Sequence, residues 1–294
     1  MNIVVLGPGA VGALWALHLH GAGHQVSLWS RQPQAQVTLQ LDDGQPVTFN
    51  NQNLAALANA DLVLITVKAW QVAAALTPLL AHLQRETILL FMHNGMGAVE
   101  ALHYSIADFP ILLATTTHGA LKTTINQVRH TGLGQTQIGA NNPLGARCDF
   151  IAEVLQHALA PVTWNPDLQP ALWHKLAINC AINPLTAIHQ CQNGALAAAE
   201  FTPTITAILD EVTAVMRAES IAFDDAALRT SVYQVINATA ANYSSMQQDI
   251  FHQRPTEIDF INGYVVAKAK QHGIATPVNH KLYTRIKQRE QSWS

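Results

Sequence analysis

The chain opens MNIVVLGPGAVGALWALHLHGAG, and the glycines of GPGAVG constrain its folding more than any other feature. Asn2–Leu6 is a short apolar run, which predicts a buried strand. Gly7, Gly9 and Gly12 follow with no spacer, and ALWALHLH then predicts a helix that closes at Gly21 or Gly23. Gln25–Trp29 predicts the next strand. A strand, a glycine turn, a helix and a strand within roughly 30 residues form the pattern of a dinucleotide-binding turn. Gly7 permits the tight turn, Gly9 lets the backbone approach a pyrophosphate, and Gly12 lets helix and strand pack closely. The helix start, with Pro8, Ala10 and Val11, offers N–H groups and partial positive charge to that pyrophosphate.

The end of the second strand separates the two nicotinamide dinucleotides. An Asp or Glu there accepts from a ribose hydroxyl, whereas a guanidinium suits a 2′-phosphate. This strand ends in Ser30–Arg31, and the nearest acids, Asp42 and Asp43, come much later. The pattern therefore points to NADP(H). Further strands are predicted at Asp61–Val67, ending in Lys68, at Thr87–Met92, ending in His93–Asn94–Gly95, and at Ile111–Thr117, ending in His118. Ligands of open α/β sheets bind beyond the carboxyl ends of strands. Lys68 could there meet a phosphate or a carboxylate, and Asn94 the nicotinamide ribose or the substrate. Both are also ordinary turn formers. Beyond 120 the pattern predicts a strand pair, Asn126–His130 and Gln135–Gly139, around a glycine-rich turn. A helix at Asp149–Leu159 and a short strand at Val162–Trp164 follow. Pro161, Pro166 and Pro170 punctuate the exit, so the first domain is placed at 1–167 and the second at 168–294.

The second half has helical periodicity almost throughout, at Ala171–Gln190, Thr204–Glu219, Asp224–Met246, Glu257–His272 and Asn279–Gln288. The fold class is thus α/β, a Rossmann-type dinucleotide domain followed by an all-helical domain. The cleft between such domains is the default active site. In ALWHKLAINCAINPLTAI, Lys175, Asn179 and Asn183 stand four apart. Residues at that spacing lie about 40° apart and form one row. Polar groups on a mostly apolar helix need a partner, either a bound molecule or another helix. A solvated face is the plainer reading, though Asn is a poor helix former for a surface. Pro184 removes a backbone donor and predicts a kink or an opening. A second polar constellation follows, Asn242, Ser244 and Ser245 in NYSSMQQDI with Glu257 and Asn262 in RPTEIDFINGYV. Glu257 reads either as the start of a helix, favoured there by the dipole, or as a carboxylate facing the site.

With 49% hydrophobic and 12% charged residues, 294 residues suffice for two cores and exclude a disordered chain. The apolar runs are too short to span a bilayer, and the N-terminus lacks the basic region of a signal peptide. Three cysteines without CxxC spacing predict reduced thiols in a cytoplasmic protein. A net charge of −3 without a basic run gives no reason to expect nucleic acid or membrane as partner. Fourteen histidines are scattered without metal-ligand spacing, so no metal is expected.

The ordered motifs GPGAVG, Arg31, TVKAWQV, MHNGMG, TTTHGA, LWHKLAINCAINPLTAI, the NG at 193–194, NYSSMQQDI and TEIDFING extend over nearly the whole chain. Together they resemble the ketopantoate reductase family. That resemblance implies NADPH-dependent reduction of 2-dehydropantoate (ketopantoate) to (R)-pantoate in pantothenate biosynthesis, by a monomer or homodimer. It implies that the glycine loop, Arg31 and Lys68 bind NADPH, that Asn94 touches cofactor and substrate, and that Ala120 meets the cofactor through its backbone. Lys175 would be the general acid. Asn179, Asn183, Asn193, Asn242 and Ser245 would hold or line the site of ketopantoate, and Glu257 would meet the cofactor or the lysine. The segment 121–147 matches less distinctively and carries nothing over. The alternatives are a related reductase of another 2-oxo acid and a non-catalytic NADP(H)-binding protein.

Overall fold

The structure is a computed structural model that describes residues 1–293. The chain divides into two compact units, one of Met1–His93 with Ala98–Leu168, the other of Asn94–Gly97 with the chain from Gln169 onward.

The first unit is built on β1 (Asn2–Leu6), β2 (Gln25–Trp29), β3 (Gln36–Leu41), β4 (Val47–Asn51), β5 (Leu62–Ile65), β6 (Ile88–Phe91), β7 (Ile111–Thr116), β8 (Gly119–Lys122), β9 (Gln127–Gly132), β10 (Thr136–Ala140) and β11 (Val162–Trp164). Its helices are α1 (Ala10–Gly21), α2 (Leu54–Ala58), α3 (Val72–Leu76), α4 (His103–Ile106) and α5 (Ile151–Ala158). The strands are ordered β11-β10-β7-β6-β5-β1-β2-β4-β3-β9-β8. From β7 to β2 all pairs are parallel. Every residue of β5 and β6 is buried, as in a sheet covered on both faces. The chain order reverses at β1, between β2 and β5, the switch point where such sheets bind ligands.

Two expectations change here. The segments 127–132 and 136–140 are strands, but they do not pair with each other. β9 lies antiparallel to β8 and parallel to β3, while β10 runs antiparallel to β7 and parallel to β11. Gly134 marks the crossing: a Cβ there would lie within 2.3–2.5 Å of the Thr117–His118 backbone. Buried Thr136 then donates its hydroxyl to Thr116 at 2.8 Å, tying β10 to β7. The second change is the antiparallel pair β3–β4, in a stretch where the sequence pattern predicts no strand.

The second unit comprises α6 (Gln169–His189), α7 (Thr202–Ala218), α8 (Asp225–Ala238), α9 (Ser245–Phe251), α10 (Asn262–Gln271) and α11 (Pro277–Gln291). α6 is central, packed by α7, α8, α9 and α11. It does not open at Pro184 but runs on to His189. Proline leaves the carbonyl four residues earlier without its helical donor. That carbonyl, on Cys180, accepts instead from Asn262 Nδ2 at 3.2 Å, and Asn262 Nδ2 also donates to Asn279 at 2.9 Å. Arg289 donates to the last carbonyls of α6, on Ala187 and Ile188. The predicted helix 224–246 is two helices, α8 and α9, with a strap at 239–244 between them. Ser244 accepts from Gln247 N and so starts α9 afresh. The predicted helix 257–272 begins instead with a 3₁₀ turn at Ile258–Phe260, and α10 starts at Asn262. Asn94–Gly97 joins this unit through Met96 N, which donates to Phe260 O at 2.8 Å. Gly95 has φ +76°, and a Cβ on it would lie 2.3 Å from that same oxygen. Among the described residues no helix is long and apolar enough to cross a membrane.

Candidate active site

In the first unit the glycine loop leaves β1 at the switch point. Gly7 has φ +87°, and a Cβ on it would fall 2.3 Å from Val67 Cγ1. A Cβ on Gly12 would lie 2.3 Å from Thr66 Oγ1 and 2.5 Å from Gly7 O. The fold alone therefore demands both glycines. Gly9 differs. Its φ is −67°, and a Cβ on it would find nothing nearer than Gly7 O at 3.9 Å. Neither packing nor backbone explains a glycine there, and the space it leaves fits the close approach of a ligand. Gly9 is the N-cap of α1, with no side-chain cap bond and no acid in the first turn. The helix start keeps its partial positive charge uncompensated, which suits a pyrophosphate. The residues present thus fit a dinucleotide.

Arg31 is exposed, in a loop fixed by two residues the sequence reading missed. Buried Asn51 accepts from Ser30 N at 3.0 Å and donates to the carbonyls of Gln32 and Gln34. Gln52 donates to the carbonyls of Ser30 and Gln32. Lys68 begins a turn closed by Gln71 N on its carbonyl at 2.8 Å. Ala120, on β8, stands opposite His130 across a register shift. His118 is buried among the unit's own side chains. Its Nδ1 accepts from Gly134 N at 3.2 Å and lies 3.1 Å from His130 Nε2.

The second unit gathers Asn94, Lys175 and Glu257. Glu257 is 6% exposed, and its side chain makes no capping bond to the turn it precedes. Its carboxylate accepts from Asn94 Nδ2 at 3.3 Å. Desolvation lowers the Lys175 pKa to about 8, while the negative charge of Glu257 works to raise it. Along the same α6 row, Asn179 is half-buried and Asn183 is buried. Asn193, also buried, donates to Thr239 Oγ1 at 2.8 Å, while its Oδ1 is buried without a partner. Its backbone N–H donates to Asn242 O at 2.9 Å, and Gly194 N to Ala240 O, so the turn after α6 grips the strap before α9. The side chains of Asn242 and Ser245 are exposed. Ser244 is instead buried and bonded to Thr186 of α6 at 2.7 Å.

A glycine loop at the switch point of a mostly parallel sheet defines the class: a dinucleotide-binding fold with a helical second unit. The comparisons with known proteins give the family. The description "Ketopantoate reductase PanE/ApbA" matches residues 3–143, and "Ketopantoate reductase PanE/ApbA C terminal" matches residues 167–290. The 2-dehydropantoate 2-reductase of Vibrio cholerae is 75% identical over all of this chain and 99% of its own. That of Escherichia coli O157:H7 is 41% identical over 100% of this chain and 96% of its own. The crystal structure of a PanE/ApbA family ketopantoate reductase from Ralstonia eutropha JMP134 superposes with a TM-score of 0.89 at 27% identity, covering 99% of both chains. This chain belongs to the ketopantoate reductase family and is an oxidoreductase acting on CH–OH groups.

Proposed function

We propose that the chain reduces ketopantoate to pantoate with NADPH, with Lys175 as the general acid. The observation that carries the reading is the cluster of Asn94, Lys175 and Glu257 in a family of ketopantoate reductases. The loop Gly7-Pro8-Gly9-Ala10-Val11-Gly12, Arg31 and Lys68 hold the cofactor, with Ala120 contributing its backbone. When bound, NADPH supplies hydride to the C2 carbonyl of the substrate. Lys175 stabilises the negative charge that develops on the carbonyl oxygen and delivers the proton from Nζ. With a pKa of about 8 it is charged at neutral pH yet gives up its proton more readily than an exposed lysine. Glu257 keeps that pKa from falling further and orients Asn94, which reaches cofactor and substrate. Asn179, Asn183, Asn193, Asn242 and Ser245 supply neutral donors and acceptors for the carboxylate and hydroxyl of ketopantoate. The unpartnered Oδ1 of Asn193 supports a ligand hydroxyl there.

Loss of reduced-nicotinamide absorbance tests this with ketopantoate and with 2-oxoisovalerate, which lacks the whole hydroxymethyl group, each with NADPH and with NADH. Turnover that prefers ketopantoate and NADPH is expected. Equal turnover of 2-oxoisovalerate would move the assignment to another 2-oxo acid. Tight NADPH binding with no turnover of either would leave a non-catalytic binding protein.

A further inference from the structure

Lys122 is the last residue of β8, a strand that packs against α1. Its ammonium reaches back to the glycine loop and donates to Pro8 O at 2.9 Å. The side chain is half-buried, and among the described residues no carboxylate lies within ion-pair distance of it. Desolvation holds its pKa below the ordinary lysine value, with no acid opposing it. An ammonium carries three donors, and a backbone carbonyl uses one of them. A half-buried cation with so little compensation lacks an anion.

The loop it touches lacks one too. Gly9 N is spent on Gly7 O at 2.7 Å, but the N–H groups of Ala10, Val11 and Gly12 open α1 and have no helical acceptor. Pro8 stands two residues before the first of them. The remaining donors of Lys122 and the start of α1 therefore serve the same stretch of loop. A 2′-phosphate, by contrast, is read at the end of β2, where Arg31 stands.

We infer that Lys122 is a second cation of the dinucleotide site, its ammonium spanning the Pro8 carbonyl and the cofactor's pyrophosphate; this rests on the reading of GPGAVG as a dinucleotide loop. The contact is indifferent to the 2′ substituent, so Lys122 strengthens binding of NADPH and NADH alike and leaves the choice between them to Arg31.

Equilibrium dissociation constants for NADPH, NADH and 2′-AMP, measured on the intact chain and on Lys122→Gln, Lys122→Arg and Arg31→Ala, test this. The fragment 2′-AMP carries the 2′-phosphate and no pyrophosphate. Lys122→Gln keeps a donor for Pro8 O but loses the charge. It is expected to weaken both dinucleotides by about 10- to 100-fold and to spare 2′-AMP. Lys122→Arg should restore most of the loss. Arg31→Ala should weaken NADPH and 2′-AMP and spare NADH. Unchanged binding in Lys122→Gln would reduce Lys122 to a tie between β8 and the loop. Weakened NADPH and 2′-AMP with NADH intact would make it a reader of the 2′-phosphate, and weakening of all three would make its role structural. Each of these overturns the inference. If the intact chain binds neither dinucleotide, the reading of the loop itself fails.

Discussion

Burial and Glu257 pull the charge of Lys175 in opposite directions. Burial drives the lysine toward its neutral form, and the carboxylate recovers part of the lost charge. A general acid must be protonated to act, so under the proposed role of Lys175 kcat/KM should fall as pH rises through about 8. Glu257→Gln keeps the shape and an acceptor for Asn94 but removes the charge that raises the lysine pKa. The alkaline limb of the kcat/KM profile should therefore move to lower pH in this variant. An unmoved limb would separate the limb from Lys175. The sequence exposes this residue because helical spacing alone places Lys175, Asn179 and Asn183 in one row. It names Asn262 beside Glu257 but not the carbonyl that Asn262 serves, and it does not single out Lys122; their partners lie 82 and 114 residues away. It names Asn242, Ser244 and Ser245 together but cannot tell buried Ser244 from its exposed neighbours, since all three are small polar residues in one short segment and only packing separates them.

At the scale of elements, α6 shows how a helix keeps a proline. Pro184 frees the Cys180 carbonyl, and Asn262 from the start of α10 supplies the missing donor. Asn262→Ala leaves that buried carbonyl and Asn279 Oδ1 each short of a bond, which should cost about 1–3 kcal/mol in urea unfolding. A loss under about 0.5 kcal/mol would show that the carbonyl finds another donor. The parallel strands were legible because fully buried strands read as continuous apolar runs. The pair β3–β4 was missed although Asp43–Gly44 between alternating segments is a hairpin signal. Pairing of β9 with β8 and β3 was not legible, since strand propensity names no partner. The break between α8 and α9 escaped because an apolar period runs through the strap at 239–244, and the fresh start is fixed by the Ser244–Thr186 contact across the unit.

At the scale of the whole molecule there are two separate cores, one around Trp15, Leu28 and Leu64, the other around Trp173, Val212 and Val265. A ligand that binds only the folded first unit stabilises it by mass action. NADPH at about 100 times its Kd should add roughly 2.7 kcal/mol to the unfolding of that unit, visible as a raised Tm. Gly9→Ala should lose most of this gain yet keep the unliganded Tm, since its added methyl meets no protein atom within 3.9 Å. A low Tm without ligand would show that the fold itself needs the glycine. The proposed reduction of ketopantoate turns on Lys175 as the proton donor. Its most direct test is ketopantoate turnover by Lys175→Ala beside its NADPH affinity. The expected result is a fall in kcat of at least ~100-fold with NADPH binding retained. Turnover that survives the loss of Lys175 would contradict it.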